Sequence, residues 1–281
     1  MSGVPSALSF TLDLEDHRPN DGLPKRYPEV TRRLLGRLEE WGVRGTVFVV
    51  GEVARDEPGL VRDIARAGHE IAFHSLDHTP LDRTTPAVFE TATRAGKAML
   101  EDITGAPITG FRAPVFSLTG ATVWAVDVLD ALSFRYSSSV LPAASPLYGF
   151  PGAPETPFRW PNGLIELPVP IARIGPVVAP YLGGIYLRYL PLALIRRLLA
   201  RNAEGRALWT YCHPYDFDPD EPYFRMRDTA WWVNFLLRLR RRHTERKIAD
   251  VMALCGGAAR SVPLGARVAA GDFTDAPVFT P

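Results

Sequence analysis

Cysteine is scarce in this chain: only Cys212 and Cys255 occur among 281 residues. Two thiols with no CxxC spacing indicate neither a disulfide scaffold nor a thiolate metal site. Long apolar runs are missing too. No uninterrupted stretch reaches the ~20 residues of a membrane-spanning helix, so no integral membrane segment is expected. The opening Met1-Ser2-Gly3-Val4-Pro5-Ser6 has no basic region leading into an apolar core. That predicts no secretory leader, and a cytoplasmic protein or one peripheral to the inner membrane. Net charge is nearly absent as well, at +1. Without a strong global field, nucleic acid is not an expected partner. Basic residues do gather at Arg238, Arg240, Arg241, Arg242 and His243, which reads as a solvated helix face. Internal repeats and low-complexity tracts are not seen.

What is present is an ordinary globular mixture, 46% hydrophobic and 22% charged. It is long enough for a substantial core and reads as a single domain over residues 1–281. Strand and helix signals alternate through the first half. Ala7 to Leu14 reads as a buried strand. Pro28 to Trp41 carries Val30, Leu34, Leu35 and Leu38 at helical spacing, with Gly42 as a stop. Thr46 to Val50 is a β-branched and aromatic strand. Helix Pro58 to Ala67, strand Glu70 to Phe73, helix Thr85 to Ile103, strand Gly110 to Ala113, helix Thr119 to Leu132 and strand Phe134 to Ser138 follow. Leu141 to Pro161, rich in Pro, Gly and Ser, reads as a long loop. Beyond it, Leu164 to Val169 and Ala207 to Cys212 are strand-like, and Leu190 to Arg201 and Thr229 to Arg241 helix-like. The tail after Gly256 is poor in helical pattern and reads as partly irregular. Such alternation predicts a mainly parallel sheet, open or closed into a barrel.

Chemistry-bearing residues sit at the ends of these strands. The first ends in Asp13-Leu14-Glu15-Asp16-His17. Strand alternation puts Asp13 and Glu15 on one side, and carboxylates crowded there need a cation to neutralise them. Alternatively, the run is a solvated loop opening. The third strand runs into His74 and His78, an HxxxH pair read as sharing one face of a helical turn. Two imidazoles and a carboxylate would leave room for water and substrate on a zinc ion. A further strand ends in Arg112-Ala113-Pro114-Val115-Phe116, and another in Cys212-His213-Pro214. Cys212 and His213 are neighbours on a strand and point to opposite faces, which argues against a thiol–imidazole pair.

Taken together and in this order, these motifs resemble the polysaccharide deacetylase superfamily, the NodB-homology or carbohydrate esterase 4 group. The resemblance spans about Ser9 to Asp218. Its carriers are the acidic first motif, Gly68-His69-Glu70-Ile71 leading to His74-xxx-His78, Arg112-x-Pro114-x-Phe116, Ile165 to Val169 and His213-Pro214. Gly183-Gly184-Ile185-Tyr186-Leu187-Arg188 and His213-Pro214-Tyr215-Asp216-Phe217-Asp218 are similar to the branch found beside exopolysaccharide genes.

The resemblance implies a distorted (β/α) barrel of about seven strands, with the site at the strands' C-terminal ends. It implies one divalent metal ion, with zinc expected, held by His74, His78 and a carboxylate. That carboxylate is either Glu15 or Asp16, since Leu14 and Glu15 separate two aspartates that are adjacent in the commonest form of the motif. It further implies Asp13 as general base, Arg112 as its partner, and His213 as the acid that protonates the leaving amine. Ser137 stands where many relatives carry an acid, so the residue orienting His213 has to lie elsewhere. The implied substrate is an N-acetylated sugar in a glycan. Tyr148, Phe150, Phe158, Trp160, Tyr181, Tyr186, Tyr215 and Phe217 are candidates to face its rings, though half or more could simply pack the barrel. Two other classes stay open: another amide hydrolase, acting on a cyclic imide, ureide or formamido sugar, and a non-catalytic carbohydrate-binding relative.

Overall fold

The computed structural model describes residues 7–175, 177–201, 206–224, 231–257 and 261–281. One sheet organises the chain. Its strands are β1 (Phe10–Leu14), β2 (Gly45–Val49), β3 (Glu70–Phe73), β4 (Gly110–Phe111), β5 (Tyr136–Ser137), β6 (Phe158–Arg159) and β7 (Ile165–Glu166), in the order β1-β2-β3-β4-β5-β7-β6. All neighbours are parallel except β6, which runs antiparallel to β7. Helices α1 (Tyr27–Glu40), α2 (Gly51–Asp56), α3 (Pro58–Arg66), α4 (Pro86–Thr104) and α5 (Trp124–Ala131) make the crossovers. This is the expected α/β class with its parallel sheet.

The pleat sorts side chains into two layers. Phe10, Leu12 and Leu14, with Val47, Val49 and Phe73, join the core shared with the helices. Phe48, Ala72, Tyr136, Leu167 and Trp209 form a second core on the opposite face. Along β1 the positions alternating with the helix-side residues are polar: Ser9, Thr11 and Asp13, all buried. The inner face of β1 is therefore not hydrophobic packing but the root of a polar site.

Segment 206–212 runs along the free edge of β1 through the parallel bridges Ser9↔Trp209 and Leu12↔Cys212, and beyond it Gly183 bridges Tyr211. Among the described residues no strand pairing joins that segment to the β7–β6 edge, so the barrel stays open there. The helix ends follow local chemistry. Thr85 caps α4, Pro86 fills its first turn, and Gly105 (φ 68°) ends it. On α4, a Cβ at Gly96 would meet the Phe73 ring at 2.4 Å, so the small residue lets the helix lie on the sheet.

Three sequence expectations need correction, and the tail expected to be partly irregular carries one regular element: α10 (Leu264–Ala269) forms, and Val278 bridges Arg159. Phe279 packs its ring 5.2 Å from Phe158 and 5.8 Å from Phe150. A six-residue helix is too short to show a periodicity. The long loop contains β6 near its end. After it come a hairpin, β8 (Ile171–Ile174) with β9 (Val177–Pro180), then α6 (Gly184–Tyr189) and α7 (Leu192–Arg201), of which only α7 was anticipated. Finally α8 (Trp231–Arg238) stops before Arg241, and α9 (Thr244–Leu254) follows; the expected start at Thr229 lies outside the described residues.

Candidate active site

Asp13 and Glu15 follow the alternation of β1 inward, and both are buried. Arg112, immediately after β4, is fully buried and donates from Nη1 to Asp13 Oδ1 and, at 2.9 Å, to Thr11 Oγ1. Its remaining donors reach the backbone oxygen of Ser138 at 3.2 Å and Ser138 Oγ at 3.1 Å. The guanidinium lies 3.8 Å from the Phe48 ring centroid and 4.3 Å from that of Trp209. A cation held by hydrogen bonds in its plane and aromatic faces around it has little freedom, so Asp13 is fixed with it.

His74 follows β3 directly. Its Nδ1–H donates to the Arg112 carbonyl at 2.8 Å, which leaves the Nε2 lone pair free. Burial lowers its pKa to about 4, with Asp13 opposing and His78 assisting, so the ring is neutral at pH 7. His78 does not reach the same place on a helical turn, as the HxxxH spacing suggested. Residues 74–78 are irregular, and Ser75 and His78 take φ of 64° and 61°. Ser75 Oγ accepts the His78 N–H at 3.0 Å and stabilises the bend. Left-handed backbone at two non-glycine residues is strain of the kind found at functional sites.

One ligand atom from each of Glu15, His74 and His78 lies within 4.8 Å of the others. His78 Nε2 is 2.6 Å from Glu15 Oε2. Burial alone would raise the Glu15 pKa, but the charges of His78 and His213 and the His78 hydrogen bond outweigh it and hold the carboxyl well below its usual range. Burial opposes charge on His78 too, yet Glu15 pulls its pKa up. The donor set suits a borderline divalent ion: two nitrogens and one carboxylate, with the two imidazoles 5.0 Å apart. Asp16, the alternative carboxylate, is at the surface, where Arg18 Nε and Nη2 fork onto it at 2.7 to 2.9 Å. It is not brought into the group.

His213 closes the other side. Its Nε2 is 3.9 Å from both Asp13 Oδ2 and Glu15 Oε1. Sequence reasoning found no acid to orient it; the structure supplies Asp216. Asp216 Oδ2 accepts the His213 backbone N–H at 2.9 Å and faces His213 Nδ1 at 3.3 Å. Its Oδ1 is 3.2 Å from Arg188, whose side chain is fully buried. Burial disfavours the charged imidazole, but the Asp216 hydrogen bond and then the Glu15 charge raise its pKa to about 9. Asp216 itself is lowered, since His213 and Arg188 outweigh its burial. Both partners stood in the two branch-like motifs, and an acid three residues after a histidine was the available signal. Gly184 belongs to the same packing: a Cβ there would sit 2.2 Å from Asp216 Oδ2. Cys212 is buried with its thiol pushed up by that burial, so no thiolate competes.

Asp13, Glu15, His74, His78 and His213 line a cavity of about 410 Å³ together with Val115, Phe116, Leu147 and Tyr215. Tyr215 stacks on the His213 ring, 4.7 Å between centroids and 8° from parallel. Of the other proposed sugar-facing aromatics, Phe150, Phe158, Trp160, Tyr181 and Phe217 are buried in the cores; Tyr148 and Tyr186 do not line the cavity. Val115 and Leu147, exposed at its rim, were not anticipated.

Two family models match the chain. Residues 16–133 match "Polysaccharide deacetylase" and residues 138–256 match a domain of unknown function, DUF3473. His74, His78 and Arg112 fall in the first and His213 in the second, so the site is assembled from both. A chitooligosaccharide deacetylase of Sinorhizobium fredii is 32% identical over 130 residues, 46% of this chain and 52% of that protein. The peptidoglycan-N-acetylglucosamine deacetylase PgdA of Listeria monocytogenes is 35% identical over 111 residues, 36% of this chain and 24% of that protein. The chain thus spans about half or less of these relatives. Among solved structures, a Mycobacterium smegmatis protein titled as a candidate polysaccharide deacetylase superimposes at TM-score 0.67 and 20% identity, covering 100% of this chain and 98% of that one. Puue allantoinase superimposes at 0.58 and 16% identity, over 90% and 86%. Both likenesses are of fold.

Proposed function

From the match of residues 16–133 to the polysaccharide deacetylase family, we propose that the chain hydrolyses the N-acetyl group of a sugar within a glycan, using one divalent metal ion. The observation that carries the reading is a carboxylate and an imidazole beside three candidate metal donors: His213 Nε2 stands 3.9 Å from both Asp13 and Glu15.

Glu15, His74 and His78 would hold the ion, and their nitrogen and oxygen donors favour zinc. When bound it supplies Lewis-acid activation of the amide carbonyl and of water. Asp13 takes the proton of the attacking water, and Arg112 aims it. His213 then gives its Nε2 proton to the departing nitrogen, because an amine cannot leave as its anion. Asp216, braced by Arg188, holds the imidazole and favours its charged form.

Acetate release from N-acetylglucosamine oligomers tests the reading, with loss on chelation expected. Asp13→Asn should retain metal and lose turnover by ~10²–10⁴-fold, the usual contribution of a general base. Near-normal turnover removes Asp13 from the chemistry. Because an allantoinase shares the fold, ureides are the control substrates, and their turnover in place of N-acetyl sugars would replace the reading. No turnover of either, with metal bound, would favour a non-catalytic carbohydrate binder.

A further inference from the structure

Basic residues between 238 and 243 were expected to be a solvated helix face, and only part of them is. Arg241 turns inward to pair with Glu221 and is buried. Arg240 and Arg242 are exposed and have no acidic partner among the described residues. No acidic residue occurs from Trp231 to His243. Apolar surface collects at the same place. Of the eight exposed large hydrophobic residues among the described ones, four are here: Tyr223 (64% exposed), Phe235 (55%), Leu239 (38%) and Leu236 (36%).

Specific contacts bind this patch together. Arg238 donates to the carbonyls of Glu221 and Pro222 at 2.8 and 2.9 Å, which draws Tyr223 to α8, its ring 5.3 Å from the guanidinium. Tyr189 donates to the Leu236 carbonyl at 2.6 Å, and Arg240 lies 6.0 Å from the Tyr189 ring. The patch also adjoins the catalytic cavity. The crevice under α8 is lined by Leu237, Arg238, His17 and Tyr215, and the last two line the cavity as well.

We propose that this face docks on an anionic lipid bilayer, with Phe235, Leu236 and Leu239 entering the headgroup region, Tyr223 at its boundary, and Arg240 and Arg242 on the phosphates. A protein partner would account for the apolar side chains. Unpaired arginines flanking them with no carboxylate in the segment are complementary to a uniformly negative lipid surface. Docking would hold the cavity mouth beside the membrane, so the glycan acted on would be lipid-borne. That last step alone rests on the deacetylase reading; the docking does not.

Sedimentation of the full chain with vesicles tests it. Binding is expected to vesicles of phosphatidylcholine mixed with phosphatidylglycerol, not to phosphatidylcholine alone, and to weaken as salt is raised. Arg240→Gln with Arg242→Gln should lower partitioning roughly 30-fold, since each basic residue near such a surface contributes about fivefold. Phe235→Ser should lower it about tenfold. Both variants should release acetate from soluble oligomers like the parent, which separates failed docking from failed catalysis. Absence of vesicle binding, or equal binding by parent and variants, overturns the proposal. So does a concentration-dependent dimer that Phe235→Ser abolishes, which would make a second copy the occupant.

Discussion

Asp216 decides what His213 can do. It accepts from the histidine's backbone, faces its Nδ1 and is itself held by Arg188. With the raised pKa, near 9, the imidazole carries its proton across neutral pH and loses it as pH rises through that value. Activity that needs the proton therefore has a basic limb. Asp216→Asn removes the negative acceptor, lowers the His213 pKa and moves that limb to lower pH, leaving the acidic limb in place. The kcat profile of the metal-saturated enzyme shows this, and an unmoved limb would strip Asp216 of the role. At this scale the sequence was readable where residue chemistry coincided with a strand end, as at Asp13, His74, Arg112 and His213. Alternation also favoured Glu15 over Asp16, and Glu15 is the one brought to the histidines. Asp216 escaped notice because its pairing depends on the local 3-10 turn after His213, which brings a residue three positions on back to the imidazole.

Elements were legible where they are long and regular. Apart from the six-residue α2, which no pattern announced, the β1 to α5 succession follows apolar periodicity closely because each piece buries one face against a neighbour. Periodicity says nothing about pieces held by single contacts. The bend that carries His78 depends on positive φ at serine and histidine, and nothing in HxxxH distinguishes it from a helical turn. The last residues of the tail are the other case. They dock through backbone bonds, from Arg159 N–H to the Pro277 carbonyl and from Phe279 N–H to the Arg159 carbonyl, both 2.8 Å, and through the Phe279 ring. Phe279 is only partly buried, so Phe279→Ala should cost about 2 kcal/mol, less than the ~3–5 kcal/mol of a fully buried phenylalanine. Urea denaturation measures it. An unchanged midpoint would show that the tail adds nothing to the stability of the β6 edge.

At the scale of the molecule, the fold places polar residues from β1, β3, β4 and segment 206–213 at one end of an incompletely closed barrel. Their mutual electrostatics are part of its energetics. Glu15 sits buried between imidazoles, and His74 pays for burial by staying neutral. Under the proposed reading a dication would satisfy the carboxylate and the nitrogen lone pairs together. Binding to the folded state alone then stabilises the whole chain. At a hundredfold excess over the dissociation constant the gain is about 2.7 kcal/mol. For a chain of this size that corresponds to a rise in Tm of roughly 5 °C. Zinc added to the metal-free protein should produce this shift in a thermal melt. His78→Ala and Glu15→Gln should abolish it, since each removes a donor, whereas Asp16→Asn should keep it, because that carboxylate is engaged by Arg18 at the surface. The reverse pattern, a shift lost in Asp16→Asn and kept in Glu15→Gln, would require the strand end to rearrange on metal binding and would return the ligand role to Asp16.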